Sequence, residues 1–441
     1  MSKRVAIIGG GISGLTTAYL LKRKGFEITV FEASERIGGN IQTVSRDGYT
    51  FEEGPNSLLK SPRLVDLVKL LGLEDQVLAS DAAAKKRYVL FGGKLEAMGL
   101  RSFVNGYFSL KTIAALIREP FNRSRSPEGE SVANFISRRI GPELVEKALD
   151  PFVSGIYAGD PKDLSMRSAF PKLFEMERDY GSLIVAAFRR KVEKADPQFP
   201  RTFSFHGGLK TLISALADEI GGNIRLSSPV REIEHSGQRF SVYRQTFDAA
   251  VISTPAFVAS KLIENRDQEL ADRLGQINYP QLAVVILGFR SESFASKLDG
   301  FGFLIASREK RQILGTVFHS IVFPERSPEG HTLLVTFVGG VRSGDTLDAR
   351  PDEDLKKMVQ AELSDILGAN EEPDLVHIKR WKNAIPQYQL GYEKVTDACG
   401  IFEEKNPGIY FCSNFYRGIS VGDCVKNAFE TADNVENYLN K

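Results

Sequence analysis

Cysteine is nearly absent from this sequence. Cys399, Cys412 and Cys424 are the only three in 441 positions, and no C-x-x-C pair occurs. This excludes a disulfide framework and a cysteine-ligated zinc centre, and it fits a reducing compartment. The five histidines lack the close spacing of a helical metal site, so no metal is expected. An excess of one charge is missing too: 57 basic side chains meet 56 acidic ones. Without an overall basic field, nucleic acid is not an expected partner. Apolar runs such as Leu282–Phe289 are far too short to cross a bilayer. The opening MSKR leads into glycines rather than an unbroken apolar segment, so no secretory leader is read there and a cytoplasmic location is expected. No internal repeat or low-complexity segment stands out.

Glycine is plentiful, with 39 residues, and its first cluster is the most informative. "VAIIGGGISGLTTAYLLKRKG" (5–25) begins with Val5–Ile8, a short buried strand of the parallel-sheet kind. Gly9, Gly11 and Gly14 then fit G-x-G-x-x-G, with Gly10, Ile12 and Ser13 in the same turn. A helix over about Ser13–Lys24 would close at Gly25. Ile28–Phe31 reads as a second strand ending at Glu32. Gly9 permits the tight turn, Gly11 lets a pyrophosphate approach the backbone, and Gly14 lets helix and strand pack closely. The helix N-terminus offers N–H groups to phosphate, and Glu32 is spaced to bond a ribose hydroxyl. The alternative is a glycine-rich turn in another α/β protein. The order of strand, helix, strand and acid favours a dinucleotide.

The next residues separate nicotinamide from flavin. "ASERIGGNIQT" (33–43) carries Arg36, Gly38, Gly39 and Asn40, a second glycine pair that a nicotinamide domain does not need. It resembles the motif beneath the flavin diphosphate in the FAD-binding amine oxidase and phytoene desaturase superfamily. "GYTFEEGPNSLL" (48–59) resembles that superfamily's loop past the isoalloxazine, which implies cofactor contacts for Gly54, Pro55, Asn56 and Ser57. Pro229-Val230 resembles its adenine-side valine site. "GIYFCSNFYRGISVGDCVKNAFETADNV" (408–435) resembles its closing FAD segment, implying roles for Asn414, Ile419, Ser420 and Val421. Non-covalent FAD is the implied cofactor.

The expected fold class is α/β: a discontinuous Rossmann-type FAD-binding domain (1–78, 206–262 and 398–441), a mixed-sheet substrate domain (79–96 and 263–397) and a helical insertion (97–205). "QLAVVILGFR", "QILGTVFHSIVF" and "HTLLVTFVGG" read as strands of one sheet, covered by a helix near Asp352–Leu367. Ser131 is a candidate N-cap in the insertion.

Long stretches of the two insertions are similar to protoporphyrinogen oxidases: "DPFVSGIYAGDPKDLSMRSAFPKLFEMERDYGSLI" (150–184), "LGTVFHSIVFPERSPEGHTLLVTFVGG" (314–340), "KKRYVLFGGKL" (85–95) and "AIPQYQLGY" (384–392). The similarity covers essentially the whole chain. It implies oxidation of protoporphyrinogen IX to protoporphyrin IX in haem synthesis, with six electrons removed in three flavin rounds and molecular oxygen as acceptor. The flavin carries such chemistry and the protein supplies position and electrostatics. A large apolar disc with carboxylates needs apolar walls and a cation at one edge. The similarity implies Arg87 as that cation; otherwise it is a solvated strand-edge arginine. It implies Leu304, Val317 and Phe337 as pocket walls, each equally readable as sheet core. It implies that Asn56, otherwise a turn residue after proline, and the backbone of Gly155 act next to the reacting carbon.

"GLRSFVNGYFSLKTIAALIREPFNRSR" (99–125) mixes Phe103, Tyr107, Phe108 and Leu110 with basic residues. It reads either as a peripheral membrane contact or as a helix packed on the substrate domain. A downstream chelatase is an implied partner, and a homodimer stays open. Coproporphyrinogen III oxidation is the nearest rival activity, although four carboxylates would want more cations. A flavin amine oxidase would want an aromatic pair before the flavin; Trp381 and Tyr388 are available near the right region, but the usual C-terminal tyrosine position is Phe415 or Tyr416 in a different context. A non-catalytic flavoprotein or porphyrin carrier is the remaining alternative.

Overall fold

The computed structural model describes residues 2–189, 196–236, 239–343 and 347–441. Its centre is a five-stranded parallel sheet in the order Ile224–Arg225, Glu27–Phe31, Arg4–Ile8, Ala249–Ile252, Ile409–Phe411. Strands buried on both faces read as continuous apolar runs, and Val5, Ala6 and Ile7 are fully buried. One face packs against helices Ile12–Arg23, Lys210–Ile220 and Val421–Leu439. The other packs against Ala256–Ile263, Gln268–Gly275 and a small antiparallel sheet that includes Arg239–Val242 and Gln245–Phe247. The first helix starts at Ile12, one residue before the expected position, with Gly11 as its N-cap.

A second sheet has seven strands in the order Leu375–Trp381, Leu282–Arg290, His331–Gly339, Gly315–Phe318, Gly302–Ile305, Arg87–Phe91, Lys94–Met98. Every pair is antiparallel except Gly302–Ile305 with Arg87–Phe91. The helix Asp352–Leu367 lies over one face, where Leu355, Val359 and Leu363 bury against Val285, Leu287 and Leu334. The stretch 312–323 is only partly a strand. His319–Val322 turns into a short helix packed on Ala84 and Phe301, because a short apolar run fits either conformation.

A group of mostly short helices has a core of its own, around Phe135, Val153 and Tyr157. Ser131 caps Val132–Arg139, its hydroxyl accepting the Asn134 N–H at 3.1 Å. Asp150–Tyr157 follows, and Asp150 ties it to the second sheet through Ser307 N–H at 2.7 Å and Arg342 at 2.9 Å. The strand Thr202–Phe205 pairs with Leu58–Leu59 and Val77–Ala79, so it joins the N-terminal piece of chain. The helix Glu393–Lys405 runs unbroken through position 398.

Candidate functional site

The site has two halves, a glycine-lined cradle and an apolar sheet face. The cradle forms at the carboxyl edge of the parallel sheet, where two helices begin, after Gly11 and after Ser420. The first N–H groups of a helix have no partner within it and attract anions. Gly9 donates to the Phe31 carbonyl at 2.8 Å, which ties the turn to the second strand. A Cβ on Gly14 would stand 2.0 Å from the Gly9 carbonyl oxygen, so the turn itself demands glycine there. A Cβ on Gly11 would meet no atom within 4 Å. Packing therefore does not demand glycine at 11, whereas close approach of a phosphate would. Ile12 packs on the core and Ser13 is buried in the first turn.

Glu32 sits half-buried at the end of the second strand. One carboxylate oxygen accepts Gly10 N–H at 2.7 Å, and the other accepts Ser34 N–H and Oγ, each at 2.8 Å. A carboxylate has about four acceptor sites, so capacity remains for a hydroxyl. Ser228 N–H bonds the Glu32 carbonyl at 2.8 Å, which brings the segment carrying Val230 beside it. Gly38 donates to Gly10 at 2.8 Å, and Gly39 lies against Gly11. Arg36 braces this turn through the Gly39 carbonyl at 3.1 Å. The Asn40 carbonyl packs directly on Gly54, whose absent side chain makes room for it. Pro55, Asn56 and Ser57 follow, all half-buried. The Asn56 amide nitrogen bonds Gly54 O at 3.2 Å, while its Oδ1 is buried with no partner among the described residues.

At the other side of the cradle, Ser420 caps Val421–Leu439 by accepting Asp423 N–H at 3.0 Å. Ile419 and Val421 flank it, half-buried. The Asn414 carbonyl accepts the Tyr388 hydroxyl at 2.6 Å, and Gly418 N–H donates to that hydroxyl at 2.9 Å.

The second half is the sheet face opposite the Asp352–Leu367 helix. Register places Leu304 and Phe337 on either side of Gly315, with Val284 and then Lys379 continuing the row. Val317 projects from the same face two residues further on, because side chains alternate along a strand. Leu304, Val317 and Phe337 are half-buried, unlike the fully buried Phe303, Thr316 and Val338 of the covered face. Arg87 precedes Tyr88, the partner of Phe303, and so lies on the Leu304 face. Its guanidinium stacks on Phe301 at 5.1 Å. It has no carboxylate partner among the described residues. Gly155 meets Leu304 from the helix side: a Cβ there would come within 2.5 Å of the leucine Cδ2.

Glu53 joins the two halves. Its buried carboxylate meets His377 at 2.8 Å and Lys379 at 2.9 Å, and its carbonyl accepts Trp381 Nε1–H at 2.7 Å. Burial alone would raise this carboxyl, but hydrogen bonds from Lys379 and His377 outweigh burial and hold it below the usual range. This anchor was not foreseen. Its signal was the period-two run His377, Lys379, Trp381, which puts three polar-tipped residues on one face.

A family model described as flavin containing amine oxidoreductase matches residues 12–436. The chain belongs to this family. It is an FAD-dependent oxidoreductase. The chain is 33% identical to mitochondrial protoporphyrinogen oxidase of Nicotiana tabacum, over 99% of this chain and 95% of that protein. It is 30% identical to coproporphyrinogen III oxidase of Bacillus subtilis (strain 168), over 99% and 98%. A crystal structure from Exiguobacterium sp. 255-15, provisionally named a protoporphyrinogen oxidase, superposes over the full length of both chains with a TM-score of 0.82 at 26% identity.

The cradle fits FAD on structural grounds: the open space before Gly11, the spare capacity of Glu32 and the orphaned Asn56 Oδ1 all suit a flavin dinucleotide. Of the residues considered for an amine-binding aromatic pair, Trp381 stands at the junction of the two halves on the Glu53 carbonyl, and the other three are placed otherwise. Tyr388 is buried, stacked on Tyr392 at 4.3 Å with its hydroxyl engaged. Phe415 and Tyr416 are core residues around Phe411. An open groove of about 660 Å³ lined by Arg311, Arg350 and Met358 borders the helix on the far face, away from both halves. Arg311 there is committed to Glu362 and Asp365.

Proposed function

We propose that this enzyme oxidises a porphyrinogen, with protoporphyrinogen IX going to protoporphyrin IX. The observation that carries this reading is the sheet face itself: three half-buried apolar side chains, Leu304, Val317 and Phe337, and at its end Arg87, which has no carboxylate partner among the described residues. An apolar disc with carboxylates at one edge matches such a surface. Full-length similarity to proteins named for both porphyrinogen substrates supports the class. Bound FAD, held non-covalently, supplies a two-electron acceptor, so six electrons require three rounds, with three oxygen molecules reduced to three hydrogen peroxide. Arg87 binds a propionate through its guanidinium. Leu304, Val317 and Phe337 exclude water from the ring. Gly155 leaves its carbonyl and the Leu304 side chain close to the ring edge, and Asn56 Oδ1 accepts a proton-bearing group from cofactor or substrate.

We assign the division of labour that the sequence suggested: flavin binding by 1–78, 206–262 and 398–441, substrate binding by 79–96 and 263–397, and a helical part over 97–205. Strand Thr202–Phe205 belongs with the first of these by its pairing. The protein works on the cytoplasmic side of a membrane, delivering product to a chelatase; no helix among the described residues is long and apolar enough to cross one. Peripheral docking is supported by Leu100, Val104, Leu110, Ile117 and Phe121, all at least 70% exposed, with Arg101, Lys111 and Arg118 among them. Tyr107 and Phe108 are not part of that surface, being buried against Phe103 and Phe91.

The test is a porphyrin-fluorescence assay of the yellow protein in air. Protoporphyrinogen IX and coproporphyrinogen III are supplied separately and rates above autoxidation compared. Faster protoporphyrin formation is expected. A strong preference for coproporphyrinogen III would reassign the substrate and keep the chemistry. No gain with either would overturn the reading in favour of a carrier.

A further inference from the structure

Arg87 has a neighbour of its own charge. Arg201 directly precedes the buried strand Thr202–Phe205, and its carbonyl accepts Lys60 N–H at 2.9 Å. Ser80 N–H reaches the Thr202 carbonyl at 3.0 Å, and from Ser80 the chain runs through the turn Ala82–Lys85 to Arg87. Gly300 and Phe301 bond back to Ala83 and Lys86 at 2.9 and 2.7 Å. Residues 80–87, 201–202 and 300–301 are thus held as one unit. Burial, and then the charge of Arg201, lower the Arg87 pKa.

Both arginines are exposed, and neither has a carboxylate partner among the described residues. The nearby acids are engaged elsewhere. Asp81 caps the turn through Ala83 N–H at 2.7 Å, and Asp196 pairs with Lys69 at 2.7 Å. Asp299 holds Lys86 and Tyr88, and Glu325 meets His206 at 2.9 Å. Two like charges held together without a counter-ion repel, and an anionic ligand relieves that repulsion. Thr202 pairs with Leu59, in the strand that directly follows residues 54–57. The backbone of Arg201 is therefore anchored beside the cofactor loop, and that of Arg87 at the end of the sheet strand.

We propose that Arg201 is a second carboxylate-binding residue, acting beside Arg87, so that the site selects a macrocycle whose two acid side chains lie on neighbouring rings. This rests on the porphyrinogen reading. Protoporphyrinogen IX carries its two propionates in that arrangement. Coproporphyrinogen III carries two more, which would face the apolar walls.

The experiment uses FAD-loaded wild type, Arg201→Ala, Arg201→Lys and Arg87→Ala, with protoporphyrinogen IX and its monomethyl ester. Arg201→Ala is expected to raise KM for the diacid about 10-fold, the scale of one charged hydrogen bond, with kcat and FAD content nearly unchanged. Arg201→Lys should recover part of the loss, and Arg201→Ala should narrow the preference for diacid over ester. An unchanged KM in Arg201→Ala, with the wild type active, overturns the proposal and leaves the functional reading standing. Should the wild type oxidise no porphyrinogen, the functional reading falls by itself. Titration of the wild type and Arg201→Ala with protoporphyrin IX, followed by fluorescence, then decides the second cation: weaker binding in the variant supports it, and equal binding overturns it.

Discussion

Gly14 and Gly11 occupy one turn for different reasons. A side chain at 14 would strike the Gly9 carbonyl at 2.0 Å, a collision that only backbone movement can relieve. A side chain at 11 would strike nothing in the protein. Gly14→Ala is therefore expected to lower stability by about 2 kcal/mol or more, the scale of overpacking. Gly11→Ala should leave the melting temperature of the flavin-free protein within a degree or two and weaken FAD binding at least 10-fold, because its methyl occupies the phosphate approach. Melting curves and flavin absorbance on the two variants check this. The spacing already suggested these separate tasks; the surrounding atoms supply the reason, a carbonyl against position 14 and open space before position 11. The run His377, Lys379, Trp381 marked a polar-tipped face, but Glu53 as its partner was not legible, because it lies more than 300 residues away in the chain.

At the scale of elements, strands announced themselves more reliably than the chemistry they carry. The helix Asp352–Leu367 and the strands Leu282–Arg290 and His331–Gly339 match their apolar periodicity. The short helix His319–Val322 does not, since Phe318-His319-Ser320-Ile321-Val322 alternates too briefly to exclude either form. The helix Leu110–Arg118 shows the same ambiguity at the surface. Its Leu110 and Ile117 are 84% and 70% exposed, and Phe121 beyond it is 82% exposed. Changing Leu110, Ile117 and Phe121 together to serine is expected to cut binding to anionic phospholipid vesicles at least five-fold, while the melting temperature and the activity in detergent stay as they were. Apolar side chains already in water contribute little to folding but much to interfacial binding. Unaltered co-sedimentation with vesicles would show that these residues do not dock.

Across the whole molecule, segments distant in the chain bury three polar side chains, Glu52, His319 and Arg326, each about 1% exposed. Glu52 accepts Leu209 N–H at 2.8 Å and Thr43 Oγ1–H at 2.7 Å. Arg326 donates to the Phe205 carbonyl at 2.6 Å and the Ser204 hydroxyl at 3.0 Å. Burial raises the Glu52 carboxyl to about 7 despite these bonds. Burial, with the Arg326 charge adding to it, lowers His319 to about 3. Between the two carboxyl pKa values the folded state holds a proton on Glu52 that the unfolded chain releases. Stability from this group is full below about 4.5 and is lost as pH rises through about 7. His319 acts oppositely: below about 6.5 the unfolded chain takes up a proton that the folded one refuses, so stability falls as pH drops toward 3. Glu52→Gln removes the first effect. Relative to wild type, the variant should gain about 2 kcal/mol between pH 5 and pH 8, read from denaturant melts at each pH. A constant difference across that range would place the Glu52 carboxyl at its ordinary value.

The sequence by itself determined what depends on neighbours along the chain. The strand, glycine turn, helix and acid from Val5 to Glu32 are a local grammar, because each residue acts on backbone within a few positions. The apolar periodicities of the second sheet are equally local. Only the tertiary structure decided which apolar residues stay half-open on the uncovered sheet face. Leu304, Val317 and Phe337 are chemically like Phe303 and Val338, and strand register together with one covering helix separates the two sets. It also decided which arginines are free. Salt bridges between distant segments consume Arg311, Arg342 and Arg380, while Arg87 feels the charge of Arg201 and neither has a carboxylate partner among the described residues. Availability of a charge is a property of its surroundings, and those surroundings exist only once the chain has folded.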